Sequence, residues 1–311
     1  MNYELDIKAN ALDSFNEALE KFEQGEKGDN KAYKFAILHT SHFLELILKI
    51  YIISVDENLV FSKCYRHITK ISKDKNISIL ESFEKLKQES FDLRTLINND
   101  NSPHTITLDQ ALEFAKCEKC KTTEISFIDT DFCIDIEWIK GLRNNIEHFQ
   151  FKLEPKEVRL CIGRLVRGAI EFLEIFDIMD LESEIGKDRL HIFKVLADEY
   201  TQLLREAKRE VVEQKTDTFR GVRPKHYAFI EWNVYTCPDC SNHTMTPNQD
   251  SSTGYRCTYC KNEDSDEIEV QCDSCGAFLP RNEMDTWHMD DETIELRCCF
   301  CSGQYQAEKY D

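Results

Sequence analysis

A short segment near the middle of the chain gathers three side chains that suit phosphodiester chemistry. In EWIKGLRNNIEHFQF, residues 137 to 151, Arg143, Asn144 and His148 fall within two helical turns. Attack of an RNA 2′-hydroxyl on the adjacent phosphate requires a base, an acid and a cation for the phosphoryl oxygens. Imidazole titrates near neutral pH and guanidinium matches phosphate, so His148 suits proton transfer and Arg143 suits charge support. Asn144 is placed to hold the imidazole or the phosphate.

The same spacing also has an ordinary structural explanation. Arg143 and Glu147 are four residues apart, which on a helix gives an ion pair worth about 0.3 to 0.5 kcal/mol. A second Arg followed by His, Arg220 and His226, occurs in the Pro-containing segment TDTFRGVRPKH. Spacing alone is therefore a weak signal, and the position of Arg143 and His148 on a strongly apolar helix is what favours chemistry.

A second polar group interrupts the apolar helix expected from Lys31 to about Val55. His42, Glu45 and Lys49 lie within about 60° of one another at 100° per residue. They are either a solvated stripe with a Glu45–Lys49 pair or residues lining the same cleft as the Arg-Asn-His group. Arg164 and Arg167 lie off the core stripe of a later helix, so we expect them at the surface, solvating the protein or contacting RNA backbone.

Cysteines carry the strongest pattern in the sequence. Nine of the fourteen lie between residues 237 and 301, and eight of these form four C-x-x-C pairs. Each such turn directs two thiolates at one tetrahedral ion, and two turns complete a four-thiolate site. The spacing predicts two structural Zn²⁺ ions, closed to catalysis, with these ligands: Cys237, Cys240, Cys257, Cys260, Cys272, Cys275, Cys298 and Cys301.

The pairing of these turns is open at the sequence level. Sequential pairing into two zinc ribbons is the first choice, and a cross-braced arrangement is the alternative. His243 or His288 can also replace a thiolate, while Cys299 is a bystander. A further pair, Cys117-x2-Cys120, would need Cys133 and His104 to complete a third site, and free thiols are the simpler interpretation.

Composition and charge restrict the class of protein. Six prolines and ten glycines in 311 residues favour helices over a sandwich or barrel. From residue 226 to 311 there are 17 acidic and 5 basic residues, a net charge of −12 within a chain total of −19. Such a module favours a protein partner over nucleic acid. With a polar amino terminus and a longest apolar run broken by Glu45 and Lys49, we expect a cytoplasmic protein without membrane spans.

The elements that must position these residues follow from apolar periodicity. The sequence predicts helices over residues 3–24, 31–55, 76–98, 108–119, 135–150, 155–179 and 187–214. Thr107 or Asp109 is the expected N-cap of the helix over residues 108–119. Residues 121 to 133 alternate between apolar and polar side chains, which predicts a short strand or extended segment.

Two motifs carry a resemblance to a known family. RNNIEH, residues 143 to 148, resembles the R-x4-6-H signature of HEPN-domain ribonucleases, and the apolar helix with Glu45 and Lys49 resembles their Glu-x3-Lys helix. The resemblance covers roughly residues 1 to 180 and departs from the family's minimal bundle at about residues 99 to 132. It implies a mostly α fold in which a HEPN-like antiparallel bundle, residues 1–182, precedes a charged helix and linker, 183–225, and a small β-rich double zinc-ribbon domain, 226–311.

The resemblance also implies an activity. Such proteins are metal-independent endoribonucleases that pair as dimers, so that His148 of two subunits shares one cleft, and many act as toxins or in antiphage defence. We therefore expect an RNA substrate, a homodimer, and a protein regulator bound through the acidic zinc module. The alternative is a non-catalytic adaptor that retains the motif for structure or RNA binding.

Overall fold

The structure is a computed structural model that describes residues 6–98, 103–117, 126–127, 131–148, 154–229, 232–288 and 294–303, without the side chains of residues 147, 148, 228, 229, 288 and 294. The chain divides into two compact units, Met1–Thr201 and Gln202–Asp311, with the boundary inside one long helix. The first unit is helical and the second contains short strands and both cysteine groups, so the protein is mostly α with a small β region at its carboxyl end.

The first unit is built from helices around one apolar core. Its helices are α1 (Ile7–Glu26), α2 (Asn30–Val55), α3 (Ser62–Lys75), α4 (Ile79–Gln88), α5 (Leu108–Ala115), α6 (Asp131–His148), α7 (Pro155–Ile175), α8 (Leu181–Ile185) and the start of α9 (Lys187–Thr218).

Helices α1 and α2 form an antiparallel hairpin. Asp6 caps α1 by accepting a hydrogen bond from the Ala9 N–H, and Gly28 turns the chain at a positive φ of 104°. Phe15 stacks on Phe43 with ring centroids 4.2 Å apart. Because these rings are fully buried, the hairpin is fixed in register by the core and brings polar residues of α1 and α2 opposite each other.

Helix α2 lies centrally in this unit. It is long and apolar enough to cross a membrane by length and composition, but 67% of the relevant window is buried inside the protein, as in the core helix of a bundle. Tyr51 packs edge-on against Phe172 of α7, and α5 and α6 also contact α2. Polar side chains on α2 are therefore held against other helices.

Helix α7 packs closely on its neighbours through glycines. A Cβ at Gly163 would lie 2.1 Å from the Leu196 carbonyl oxygen of α9, and one at Gly168 would lie 2.8 Å from the carboxylate of Asp135 on α6. Only glycine permits these approaches without displacement of backbone or of a buried carboxylate. The α6–α7–α9 contact is thus specified by residues that carry no side chain.

The second unit combines the end of α9 with two small β modules. Strands β1 (Tyr235–Thr236), β2 (His243–Pro247) and β3 (Tyr255–Cys257) form an antiparallel sheet in chain order. The second module contains the hairpin β4 (Glu269–Gln271)–β5 (Phe278–Pro280), the hairpin β6 (Met284–His288)–β7 (Ile294–Cys298), and α10 (Cys299–Ser302). We call residues 235–262 the first ribbon and residues 268–302 the second ribbon.

The first ribbon packs on one face of α9 within this unit. The Thr258 hydroxyl, which is buried, donates to the Ala207 carbonyl at 2.9 Å, and the Thr246 hydroxyl donates to Gln214 at 2.8 Å. Positions 207 and 214 are two turns apart and share a face. The ribbon is therefore anchored to the helix by specific hydrogen bonds.

Several element predictions differ from the structure. Residues 76–98 do not form one helix, because α4 ends at Gln88 and Ser90 adopts a left-handed φ of 56°. Helix α3 was not predicted. Residues 121–133 were predicted as a strand or extended segment, but residues 131–133 belong to α6. Of the remaining ten residues, the structure describes 126 and 127. Thr107, rather than Asp109, caps α5.

Candidate functional site

The eight predicted cysteines assemble into two groups of four. Within each group the sulfurs all lie within 4.8 Å of one another. The groups follow chain order and not the cross-braced alternative: Cys237, Cys240, Cys257 and Cys260 in the first ribbon, and Cys272, Cys275, Cys298 and Cys301 in the second.

A repeated turn presents these thiols. After the second cysteine of three pairs, the next residue has positive φ: Ser241 at 54°, Lys261 at 63° and Gly276 at 75°. In each case the N–H of this residue donates to the carbonyl of the pair's first cysteine. The N–H of the first cysteine donates to the carbonyl of the residue that lies two positions after the second cysteine. This tight loop fixes both thiols of a pair on one side, so a pair is preformed by its own local backbone.

The sulfur spacing fits a tetrahedral metal ion. The Cys237–Cys260 and Cys240–Cys257 sulfurs are 3.6 and 3.8 Å apart, and those of Cys275 and Cys298 are 3.8 Å apart. Zinc–sulfur bonds of about 2.3 Å in tetrahedral geometry imply sulfur separations of about 3.8 Å. Both groups are therefore compatible with a structural metal ion each, and four protein ligands leave no coordination position for a substrate.

The four thiols of the first group affect one another's protonation. Hydrogen bonds from Cys237 and the other two thiols hold the pKa of Cys257 well below its ordinary value. Hydrogen bonds with Cys237, Cys240 and Cys257 raise the pKa of Cys260 far above its ordinary value. Four ionised thiols at this separation repel one another, so full deprotonation of the group requires a bound divalent ion.

The other metal ligands considered from sequence are not part of these groups. The His243 Nδ1 lies 3.5 Å from the Thr236 hydroxyl, and the side chain of His288 lies outside the described residues. Cys299 belongs to neither group. In the part of the chain that the structure describes, Cys117, Cys133 and His104 do not form a ligand group, and Cys120 is outside it.

A polar cluster in the first unit brings α2 and α6 together. Glu45 accepts a hydrogen bond from Lys49 at 2.7 Å and one from Arg143 at 3.1 Å, across 98 residues. The Lys49 side chain is only 7% exposed and also donates to the Thr105 hydroxyl at 3.1 Å. The polar residues of α2 are thus not a solvated stripe, because Lys49 is buried and Glu45 bonds the Arg143 guanidinium of α6.

Two cations in this cluster share one carboxylate. Burial raises the pKa of Glu45, but hydrogen bonds and charge from Lys49 and Arg143 outweigh burial and lower it. Glu45 is therefore ionised at neutral pH, and one carboxylate lies between two cations. The three side chains together carry a net charge of +1 in a chain whose net charge is −19.

An imidazole adjoins these charges. The Nδ1 of His42 lies 2.8 Å from the hydroxyl of Ser14 on α1. Burial lowers the pKa of His42; the Glu45 charge raises it, and Arg143, Lys49 and His39 lower it further. We define Ser14, His42, Glu45, Lys49, Thr105 and Arg143 as the bundle cluster.

The remaining members of the sequence motif are placed less fully. Asn144 lies on α6 next to Arg143 and is exposed to solvent. Helix α6 extends to His148, but the side chains of Glu147 and His148 lie outside the described residues, as does Phe149. The expected pair of Arg143 with Glu147 is therefore not described, whereas the pair of Arg143 with Glu45 is.

The expectation for Arg164 and Arg167 is wrong. Arg164 is 2% exposed and its Nε donates to Asp135 at 2.6 Å, while Arg167 donates to Asp135 at 2.9 Å and to Asp131 at 2.7 Å. The Arg164 guanidinium also lies 4.3 Å from the Trp138 ring centroid. Because α6 covers this face of α7, the two arginines serve an internal ion network rather than an RNA-facing surface.

Two residues of the bundle cluster were not singled out from sequence. Ser14 occurs on the buried stripe of α1 between Ala11, Phe15 and Ala18, and a small polar residue at a core position is a signal that could have marked it. Thr105 lies in a segment between helices and gives no such signal.

Comparison with known proteins gives no match to a family model, to a curated protein or to a solved structure. The HEPN resemblance therefore rests on the RNNIEH and Glu-x3-Lys motifs alone.

Proposed function

We propose that this chain is a metal-independent endoribonuclease of HEPN type. The observation that carries the proposal is the bundle cluster, in which Lys49 and Arg143 share the ionised carboxylate of Glu45 beside the His42 imidazole. Two cations at this point of an acidic protein favour a phosphate group. Because Glu45 anchors Arg143 from a rigid central helix, the guanidinium is held in place before a substrate arrives.

The proposed reaction is an internal transfer on ribose. The 2′-oxygen attacks the adjacent phosphorus and the bond from phosphorus to the 5′-oxygen breaks, giving a 2′,3′-cyclic phosphate and a 5′-hydroxyl. Arg143 supports the charge on the phosphoryl oxygens, His148 transfers a proton, and Asn144 orients the imidazole or the phosphate. DNA lacks the attacking hydroxyl, so it is not a substrate. By resemblance, the active form is a homodimer.

The test uses purified protein and total cellular RNA with EDTA, after metal analysis has shown that the structural ions remain bound. Wild type is expected to cut RNA, and Arg143→Ala and His148→Ala to lose about 10²- to 10⁴-fold in rate. His191→Ala, an exposed histidine on α9, is the matched control and retains full rate. Uncut RNA with wild type, or equal cutting by all variants, contradicts the proposal.

We also propose that zinc occupies both cysteine groups. Thiolate ligands in tetrahedral geometry suit zinc, and five of the eleven buried residues in the core of the described ribbons are cysteines, so metal binding and core formation are coupled. Metal analysis of purified protein is expected to give two equivalents of zinc per chain. One equivalent or none, in protein that is correctly folded, would contradict it.

For the acidic module we propose a regulatory role in the cytoplasm. Each tetrathiolate zinc site adds about two negative charges to a segment that already carries −12, so a protein partner is favoured over nucleic acid. A toxin or antiphage effector that is restrained through this module is the proposed biological setting, and no membrane partner is proposed.

A second candidate is a non-catalytic adaptor with the same fold. The Arg143–Glu45 ion pair favours this candidate. It links α6 to α2 and so stabilises the fold whether or not a substrate binds. The His148→Ala variant separates the two functions. An enzyme loses RNA cleavage with its fold and oligomeric state intact, whereas an adaptor has no cleavage to lose.

A further inference from the structure

We infer that His42 is the general base of the proposed cleavage reaction, so that one chain contains both proton-transfer groups. This inference rests on the proposed function, which assigns only His148 to proton transfer and takes the second group from a partner subunit. The observations that lead to it are the position of His42 in the bundle cluster and the way its ring is held.

The imidazole is fixed on one side. Its Nδ1 contacts the hydroxyl of Ser14 at 2.8 Å, and Ser14 is itself 5% exposed on a well-packed helix. In the part of the chain that the structure describes, no residue hydrogen-bonds the Nε2 on the opposite side of the ring. In the tautomer that carries its proton on Nδ1, the Ser14 hydroxyl accepts from Nδ1 and the Nε2 is bare, which is the arrangement of a general base.

The ring also lies beside the proposed phosphate-binding charges. His42 is three residues before Glu45 on α2, and these positions are neighbours on a helix surface. Glu45 in turn bonds Arg143 of α6 at 3.1 Å. Glu45 thus bonds the Arg143 guanidinium, and the charges of both Glu45 and Arg143 act on the His42 imidazole. Ser14, His42 and Arg143 come from three separate helices.

The protonation state suits the role. Burial is the main reason that the pKa of His42 is below its ordinary value, and the neighbouring cations act in the same direction while Glu45 opposes them. The charged and titratable groups that act on the ring are His39, Glu45 and Lys49 on α2 and Arg143 on α6. At neutral pH the ring is uncharged and ready to accept a proton.

The protons balance in this scheme. The 2′-hydroxyl proton moves to the Nε2 of His42 as the oxygen attacks phosphorus, and protonated His148 gives its proton to the departing 5′-oxygen. After one turnover His42 is charged and His148 is neutral, and exchange with solvent restores both. Dimer formation can still shape the RNA cleft, but it is no longer needed to supply a second imidazole.

The test compares His42→Ala and His42→Gln with His148→Ala and the His191→Ala control on one RNA substrate. Both His42 variants are expected to lose about 10²-fold or more in kcat with little change in KM. The low-pH limb of the wild-type rate profile disappears in His42→Ala, and added free imidazole restores part of the rate. Thermal melting, and retained RNA binding, identify variants that are folded.

Three results overturn the inference, and they are distinguishable. If wild type cuts RNA and His148→Ala does not, but the folded His42 variants remain within about tenfold of wild type, the general base lies elsewhere and the proposed function stands. If wild type cuts no RNA, the proposed function fails and the role of His42 fails with it. A rate loss that imidazole does not restore, with an unchanged pH profile, assigns His42 to structure alone.

Discussion

The two candidate sites of this protein are assembled over very different distances along the chain. In each ribbon, thiols three residues apart are preformed by a tight turn, and the two turns of a site lie within 30 residues of each other. In the bundle cluster, Glu45 and Arg143 are 98 residues apart and meet only because α2 and α6 pack together. The first kind of site can be identified from spacing, and the second depends on the whole helical core.

The sites also differ in charge and accessibility. Each cysteine group offers four ligands, which is a full set for one structural ion and leaves no position for a substrate. The bundle cluster holds two cations, and the Arg143 side chain is 31% exposed, so solvent or a phosphate can reach it. One region is therefore suited to holding a fold together and the other to receiving a ligand, and the following changes test that contrast.

The largest effect is expected from removal of a metal ligand. Cys257→Ser should lose one of the two bound ions and unfold the first ribbon, because structural zinc contributes an apparent binding free energy of about 10 to 16 kcal/mol. Metal analysis and NMR measure this change. Cys299→Ser is the matched control and should retain both ions. If Cys257→Ser retained two ions, Cys257 would not be a required metal ligand, and the structural role given to the first cysteine group would be wrong.

A smaller effect is expected when the bundle cluster loses its shared carboxylate. Glu45→Ala leaves the buried Lys49 ammonium without its ion-pair partner, which should cost about 3 to 5 kcal/mol in the free energy of unfolding. Glu184→Ala, which removes an exposed pair with Lys8, should cost about 1 kcal/mol or less. Chemical denaturation measures both values, and equal values would show that the cluster behaves as surface charge.

The same carboxylate gives a pH signature. Since the pKa of Glu45 is lower in the folded state than its ordinary value of 4.5, its stabilising contribution is fully present above about pH 4.5 and is lost as pH falls through the folded pKa. Glu45→Gln should therefore flatten the decline in unfolding free energy below pH 4.5. A decline as steep as that of wild type would assign it to other carboxylates.

The smallest effect is expected where the first ribbon packs on α9. Thr258→Val removes the buried hydroxyl that bonds the Ala207 carbonyl, at a cost of about 0.5 to 1.5 kcal/mol, without affecting metal content. Thr216→Val, on the exposed surface of the same helix, should change the unfolding free energy by about 0.5 kcal/mol at most. Metal loss in Thr258→Val would show that the ribbon depends on the helix for its metal site.

Part of this architecture follows from periodicity in the sequence and part does not. The apolar runs of α2 and α7 were predicted within a few residues of their observed ends, since both helices bury a continuous stripe. Helix α3 has only Cys64, Tyr65 and Ile68 buried among fourteen residues, so its apolar pattern is too sparse to identify. The break after α4 depends on the backbone of Ser90, which no periodicity encodes.

The helix that contains Arg164 is predicted correctly from the sequence, but the exposure of Arg164 is not. Arg164 lies off the apolar stripe of α7, as the 100° repeat predicts, yet α6 covers that face and supplies Asp135 as a buried partner. Gly163 and Gly168 permit the close approach of neighbouring helices. Periodicity identifies the most apolar face of a helix, and it does not show how many of the other faces are covered.

By itself, the sequence determined which cysteines form a pair directed at one ion, because a C-x-x-C turn places two thiols together regardless of the rest of the fold. The structure decided which two pairs form one group of four. The sequence also predicted the central position of α2, because an apolar helix surface of that extent is unfavourable in water and is stable when other helices cover it. Only the tertiary structure decided that Ser14, His42, Glu45 and Arg143 are neighbours, since their meeting depends on helix packing across more than a hundred residues of chain. Local backbone geometry acts within a few residues, and side-chain packing alone selects contacts over longer separations.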